Sequence, residues 1–229
     1  MKKVIMSNLY PSFCNAVKSC GYKIINSDTV QNFHQPEQKH ADMQVLRIKD
    51  TTFILNECVN LKTQLKNSHP VVIKEQSGKL YPENVRLNCL YLNGKLYGKL
   101  DAIANEVKCF CNENDIHLVN VNQGYTKCST LVVGKNAVIT SDISIYKAMC
   151  KNGVEVLLIS SGQIILEGFD YGFIGGAGFY DNNTVYFFGN AELHPDYHKI
   201  KNFCENHNSK IEILSSNFPL TDIGGVVII

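Results

Sequence analysis

The sequence predicts an α/β fold: a five-bladed α/β propeller with pseudo-fivefold symmetry, whose N-terminal strand closes the last unit. Two observations carry that expectation. First, short apolar strands ending in small or polar residues recur as VIMSN (to Asn8), FILNE (to Glu57), LYGKL (to Leu100), VITSD (to Asp142) and YFFGN (to Asn190). Their spacings are 49, 43, 42 and 48 residues, and the interval from Asn190 through the C-terminus and on to Asn8 is 47, so five intervals span the chain. A period of this length marks supersecondary units that cannot bury an apolar face alone. Second, each interval repeats one order of signals: helix, strand, polar loop, hairpin.

The helices come first. Apolar spacing and end signals place them at 11–20, with Pro11 at the start and Gly21 past the end, then at 58–67, 101–113, 143–152 and 195–207. A short β-branched run follows each: 22–25, 71–73, 116–121, 154–159 and 210–214. Such runs read as buried strands. Hairpins follow the loops: 43–48 with 52–56, 86–92 with 95–98, 129–133 with 137–140 and 174–180 with 184–188. Their turns hold Lys49-Asp50-Thr51, Asn93-Gly94, Gly134-Lys135-Asn136 and Asp181-Asn182-Asn183, rich in residues that tolerate positive φ. The fifth pair is 225–229 with 2–7, joined by no peptide bond. A helix between strands implies a parallel crossover. One domain is expected over 1–229, with units 9–57, 58–100, 101–142, 143–190 and 191–229 plus 1–8.

Composition narrows the partners. Net charge is +1 and the only arginines are Arg47 and Arg86, which argues against nucleic acid as a partner. No apolar run reaches the roughly 20 residues of a membrane span. Val4, Ile5 and Met6 behind Lys2 and Lys3 are too few for a signal peptide, so a cytoplasmic location is expected. Nine cysteines include no Cys-x-x-Cys pair and read as reduced thiols acting as small buried hydrophobes. His194 and His198 have helical ligand spacing but flank Pro195 and Asp196, and read as a helix start; no metal and no cofactor is expected. Gly172, Gly175, Gly176 and Gly178 run into a strand and not a helix, which fits close backbone approach better than a phosphate loop.

The loops ahead of the hairpins gather at one end of the axis. They are His40-Ala41-Asp42, Glu83-Asn84-Val85-Arg86, Tyr125-Thr126-Lys127-Cys128-Ser129, Glu167-Gly168-Phe169-Asp170-Tyr171-Gly172 and Leu220-Thr221-Asp222-Ile223-Gly224-Gly225. Cys128 is a candidate nucleophile, with Lys127 and His40 expected to lower its pKa; an inert buried thiol is the other reading. His40 and Asp42, two apart at a strand start, share a face, with His40 as proton shuttle; a solvated loop is the alternative. Glu167, Asp170 and Asp222 make the funnel acidic and suit a cationic small molecule, or serve as turn and cap residues. Asn84, Arg86 and Lys127 complete the candidate ligand-binding set.

The ring of units, with HADMQV (40–45), NQGYTKCS (122–129), LEGFDYGFIGGAGF (166–179) and PLTDIGG (219–225), resembles the pentein superfamily, the guanidino-modifying-enzyme fold, and within it an uncharacterised bacterial family. The resemblance implies a Cys nucleophile from the fifth unit, a His-x-Asp from the third and acids from the first two that bind a guanidinium. This chain departs from that pattern. Its fifth unit ends Gly224-Gly225-Val226-Val227-Ile228 with no Cys, its His-x-Asp lies in unit one and its candidate Cys in unit three. Rotating the ring by two units puts His40, Asp42 and Cys128 on the catalytic positions, Asp222 on the second-unit acid and Asp170 near the first. The expected function is thiol-dependent hydrolysis or transfer on a guanidine- or amidine-like cation. The alternative is a pentein without chemistry that binds a small polar ligand or a macromolecule.

Overall fold

The structure, a computed structural model, describes residues 1–229. The chain opens with β1 (Lys3–Met6), crosses over through α1 (Pro11–Ser19) and returns as β2 (Lys23–Asn26), parallel to β1. Pro11 stands at the first helical turn, where its missing N–H costs nothing, and Gly21 (φ 88°) takes the left-handed conformation just past the helix. The same path then repeats. A single helical turn α2 (Ala41–Gln44) leads into the hairpin β3 (Val45–Ile48) and β4 (Thr51–Ile54), then α3 (Val59–Gln64) and β5 (Val71–Val72). Next come β6 (Leu90–Leu92), β7 (Lys95–Gly98), α4 (Asn105–Glu113) and β8 (His117–Asn120). They are followed by β9 (Thr130–Gly134), β10 (Ala137–Thr140), α5 (Ile143–Lys151) and β11 (Glu155–Leu158). The chain ends with β12 (Gly178–Asp181), β13 (Thr184–Phe187), α6 (Tyr197–Asn206), β14 (Lys210–Ile213) and β15 (Val227–Ile228). Lys49, Asn93, Asn182 and Asn183 all turn the hairpins at positive φ.

Five three-stranded sheets result, each an antiparallel pair plus one parallel strand: β15-β1-β2, β3-β4-β5, β6-β7-β8, β9-β10-β11 and β12-β13-β14. The sheets therefore straddle the sequence repeat, because the strand after each helix joins the hairpin before it. The two chain ends meet in the first sheet. Val4 lies opposite Ile228 and Ile5 opposite Val227, and Ile229 N–H donates to Lys3 O at 3.0 Å.

Two expectations need correction. The β-branched runs after the helices are not buried strands: β8 has one buried residue, Val119, between exposed ends, and β14 has none. Each pairs along one edge only, so its other edge meets solvent. The inner and central strands are better covered, and in β10 all four residues are buried. The segment from Ala41 is not extended at first. Met43 N–H donates to His40 O at 3.3 Å, and the buried Gln44 amide bonds Asp28 N, Asp28 O and Gln38 O, winding Ala41–Gln44 into a helical turn.

The thiols divide. Cys14, Cys58, Cys89, Cys111, Cys128 and Cys204 are buried, as expected of small hydrophobes, whereas Cys20, Cys109 and Cys150 are exposed on the outer faces of α4, α5 and the end of α1. His194 starts a helix: its Nδ1 accepts from Asp196 N–H at 3.0 Å, while His198 points outward.

Candidate active site

The five loops ahead of the inner strands are tied into one hydrogen-bond circuit. Asp42 N–H donates to Gly224 O at 3.0 Å, Gly225 N–H to Gly176 O at 3.0 Å, and Gly176 N–H to Cys128 O at 3.0 Å. Cys128 N–H then donates to Asn88 Oδ1 at 3.2 Å, and Asn88 Nδ2 to Asp42 O at 3.3 Å, which returns the circuit to its start. Glycine makes this approach feasible. A Cβ on Gly175 would lie 2.3 Å from Lys127 O, and one on Gly224 (φ 78°) would lie 2.3 Å from His40 Cα. The glycine-rich run thus serves close backbone approach, as its place before a strand implied.

The circuit brings remote side chains together. His40, Asp42 and Cys128 each offer a donor atom, and these three atoms lie within 4.8 Å of one another, all buried. His40 Nδ1 stands 4.0 Å from Asp222 Oδ1. Asp222 is itself anchored, Oδ1 accepting from Gly224 N–H and Oδ2 from Phe173 N–H, each at 2.9 Å. Neither oxygen of Asp42 has a hydrogen-bond partner.

Burial sets the charge states. It pushes the Asp42 carboxyl up to about 8, with the Asp222 charge adding to the effect. It lowers the His40 pKa, against the pull of Asp222. The Cys128 thiol is raised well above its ordinary value by burial and then by Asp42 and Asp222. This corrects the expectation that Lys127 and His40 would lower it. Desolvation outweighs both, because Cys128 is 2% exposed, and the charges of Asp42 and Asp222 add to it. Burial thus favours the neutral forms of the thiol, the imidazole and the Asp42 carboxyl.

The other candidate residues scatter. Asn84 is buried and its Nδ2 donates to Tyr125 OH at 2.6 Å. Arg86 pairs with Glu75 at 2.5 Å, away from the cluster. Lys127 lines a separate cavity of about 190 Å³ with Arg47, Cys89 and Val226. Asp170 is exposed on its loop, and Glu167 stands on the rim of a larger cavity of about 480 Å³. That cavity has His40 and Asp222 in its wall with Leu9, Tyr10, Leu166 and Lys39; Cys128 does not line it. Tyr125 and Phe173 pack against the core cluster that contains Cys128, and Tyr81, Tyr125, Phe173 and Tyr171 form an aromatic row with successive centroids 6.0, 5.9 and 6.3 Å apart.

Two residues escaped the sequence reading. Glu37 is 5% exposed, faces the Tyr125 hydroxyl, leaves Oε2 without a partner and is pushed up to about 7, chiefly by burial. Asn88 touches the sulfur, with Nδ2 2.9 Å from Cys128 Sγ. Glu37 lies in a polar loop (QPEQ) with no periodicity to mark it. Asn88 had one available signal: it stands two residues before its inner strand, as Cys128 does. The imidazole, carboxylate and thiol of His40, Asp42 and Cys128 are also a donor set that suits a tetrahedral divalent ion such as Zn²⁺.

Five small sheets with crossover helices, and a Cys, a His and an Asp brought together from the loops between them, go with a protein of the pentein fold. A family model described as a family of unknown function (DUF6873) matches residues 4–227, and the chain belongs to that family. A dimethylarginine dimethylaminohydrolase, solved as an adduct with S-methyl-L-thiocitrulline, superposes with a TM-score of 0.61 at 10% identity, over 100% of this chain and 99% of that one. A mutant DDAH from Pseudomonas aeruginosa, complexed with citrulline, gives 0.59 at 9% identity with coverage of 100% and 99%. The agmatine deiminase of C. jejuni gives 0.53 at 9%, covering 94% of this chain and 87% of that one. No curated protein sequence matches this chain.

Proposed function

We propose that this chain is a single-domain five-bladed α/β propeller, in units 9–57, 58–100, 101–142, 143–190 and 191–229 plus 1–8, whose axial cluster acts on a guanidine- or amidine-like cation by thiol chemistry. One observation carries the reading: both oxygens of Asp42 are buried and without partners beside a thiol and an imidazole, and Glu37 Oε2, close enough for its charge to act on Asp42, is another buried acceptor without a partner. Each orphaned acceptor costs about 1–3 kcal/mol. A planar cation with several N–H donors relieves that cost, and its charge compensates the acids. Solved proteins of the same fold include a hydrolase of dimethylarginine and a deiminase of agmatine, which supports this substrate class.

In this reading the bound cation favours the thiolate by its charge. Cys128 gives its proton to His40 and its sulfur bonds to the central carbon. One C–N bond breaks, and His40 passes the proton to the departing amine, leaving a covalent thiouronium cation on Cys128. Water or a second amine then attacks that carbon, His40 takes its proton, the C–S bond breaks and the sulfur is reprotonated. Asp42, Glu37 and Asp222 hold the cation. The cavity beside His40, rimmed by Glu167 and Lys39, receives the rest of the ligand. Access requires Tyr125 and Phe173 to move. Arg86, Lys127 and Asp170 have no part in the contacts with the reacting carbon. Nine free thiols suit a reducing compartment such as the cytoplasm, and no helix is long and apolar enough to cross a membrane.

The test is labelling by a haloacetamidine, with each cysteine followed by mass spectrometry. Cys128 is expected to react ahead of the exposed Cys20, Cys109 and Cys150, and Cys128→Ala to abolish turnover of any guanidine found to be a substrate. Labelling that tracks exposure alone sinks the proposal. A second reading, ligand binding without chemistry, is favoured by the depth of Cys128 and its high thiol pKa. It predicts tight binding of a guanidine by both the wild type and Cys128→Ala, with no product from either.

A further inference from the structure

We propose that Asn88 is a catalytic residue, the hydrogen-bond donor that stabilises the Cys128 thiolate as it forms in the reaction. The inference rests on the reading of Cys128 as the nucleophile and adds a residue that the family resemblance did not imply.

The first observation is the orientation of the amide. Asn88 is 1% exposed, and its Oδ1 accepts from Lys127 N–H at 2.8 Å and Cys128 N–H at 3.2 Å. Two main-chain donors thus determine which end of the amide is oxygen. The NH₂ end must face the other way, where Nδ2 stands 2.9 Å from Cys128 Sγ and 3.3 Å from Asp42 O. An N–H aimed at sulfur favours the anion over the thiol.

The second observation is a break in symmetry. Three junctions of the axial circuit are made by main chain alone: Asp42 to Gly224, Gly225 to Gly176, and Gly176 to Cys128. The two junctions that flank Asn88 are made by its side chain. The circuit therefore gives up a main-chain link at the one place next to the sulfur and inserts an amide there. The equivalent position before β12 is Gly176, which can offer no side chain.

The third observation is what else faces Sγ. Asp42 and Asp222 both oppose a negative sulfur, and Asn88 is the hydrogen-bonding group that opposes them. Lys127 makes no hydrogen bond to the sulfur; its main-chain N–H donates to Asn88 Oδ1 instead.

The experiment uses the intact protein. The rate of Cys128 alkylation by iodoacetamide is followed against pH by mass spectrometry, in the wild type and in Asn88→Ala. The variant is expected to need a higher pH, with the rate lowered about tenfold at a pH below the inflection, as one unit of thiol pKa implies. A folded Asn88→Ala with an unmoved profile overturns the proposal. Because Asn88 also receives two main-chain N–H groups, the variant can fail to fold. The wild type then supplies the readout: the Asn88 side-chain NH₂ signal in ¹⁵N NMR should shift with the ionisation of Cys128, and that shift should vanish in Cys128→Ser. A signal that stays in place across the folded pH range overturns the proposal. Neither readout uses a guanidine, so a protein that ignores guanidines but shows the Asn88-dependent thiol profile would sink only the preceding substrate assignment.

Discussion

The main-chain N–H of Asp42 donates to the carbonyl of Gly224 at 3.0 Å, joining the first axial segment to the last. The same two segments place the His40 ring against the Gly224 backbone. A candidate base and a candidate carboxyl are therefore held by a contact across 182 residues of chain, and the site is only as rigid as that seam.

Gly224→Ala tests the seam directly. The new Cβ would lie 2.4 Å from His40 Cβ and Cγ, on a backbone at φ 78° that Ala adopts poorly. The expected loss is about 1–3 kcal/mol by urea denaturation, the range for overpacking, together with loss of any His40-dependent activity. Unchanged stability would show that His40 has room to retreat.

The shared sheet of the two chain ends makes a second prediction. Ile5 is fully buried in β1, between β15 and β2. Ile5→Ala should cost about 2–5 kcal/mol, as a large-to-small change in a core does. Leu158→Ala, at a side chain 38% exposed on an outer strand, should stay within about 0.5 kcal/mol of the wild type. Equal effects would mean that the seam contributes little to the fold.

A third concerns pH. Asp42 has a folded pKa of about 8 against an ordinary value of 3.8. Between these values the folded protein keeps a proton that the unfolded chain releases, so stability falls as pH rises. That contribution is complete below the ordinary value and is lost as pH passes through about 8. Glu37, pushed up to about 7, acts in the same direction. Asp42→Asn cannot titrate, so its Tm relative to wild type should climb as pH is raised from acid to mildly alkaline. A constant difference would mean that Asp42 is ionised in the fold.

A fourth uses metal. Zn²⁺ should protect Cys128 from alkylation through the His40, Asp42 and Cys128 donor set, and a chelator should restore labelling. His40→Ala should abolish the protection. Labelling that is indifferent to Zn²⁺ would show that the three atoms cannot converge on one ion.

The repeat period, the Asn and Gly turns and the helix ends were legible because they are local: each follows from φ preference or apolar spacing within about ten residues. Asp222, His40 and Cys128 were legible as a set only because the repeat placed them in equivalent loops. Glu37 was not, since it lies in a polar loop whose residues carry no periodic signal. The strands after the helices were misjudged for a related reason. A β-branched run shows that a segment pairs, but not that it pairs on one edge only.

By itself the sequence determined the architecture: five repeats, their hairpin turns, and the pairing of the first strand with the last. Only the tertiary structure decided the chemistry at the centre. It buries Cys128 beside two carboxyls, which raises the thiol pKa, pairs Arg86 with Glu75, and sets the Asn88 amide against the sulfur. The physical reason is range. Backbone preferences act between neighbours in the chain and are written in the order of residues. The ionisation of a buried group depends on its desolvation and on charges a few ångströms away, which here come from loops separated by up to the length of the chain.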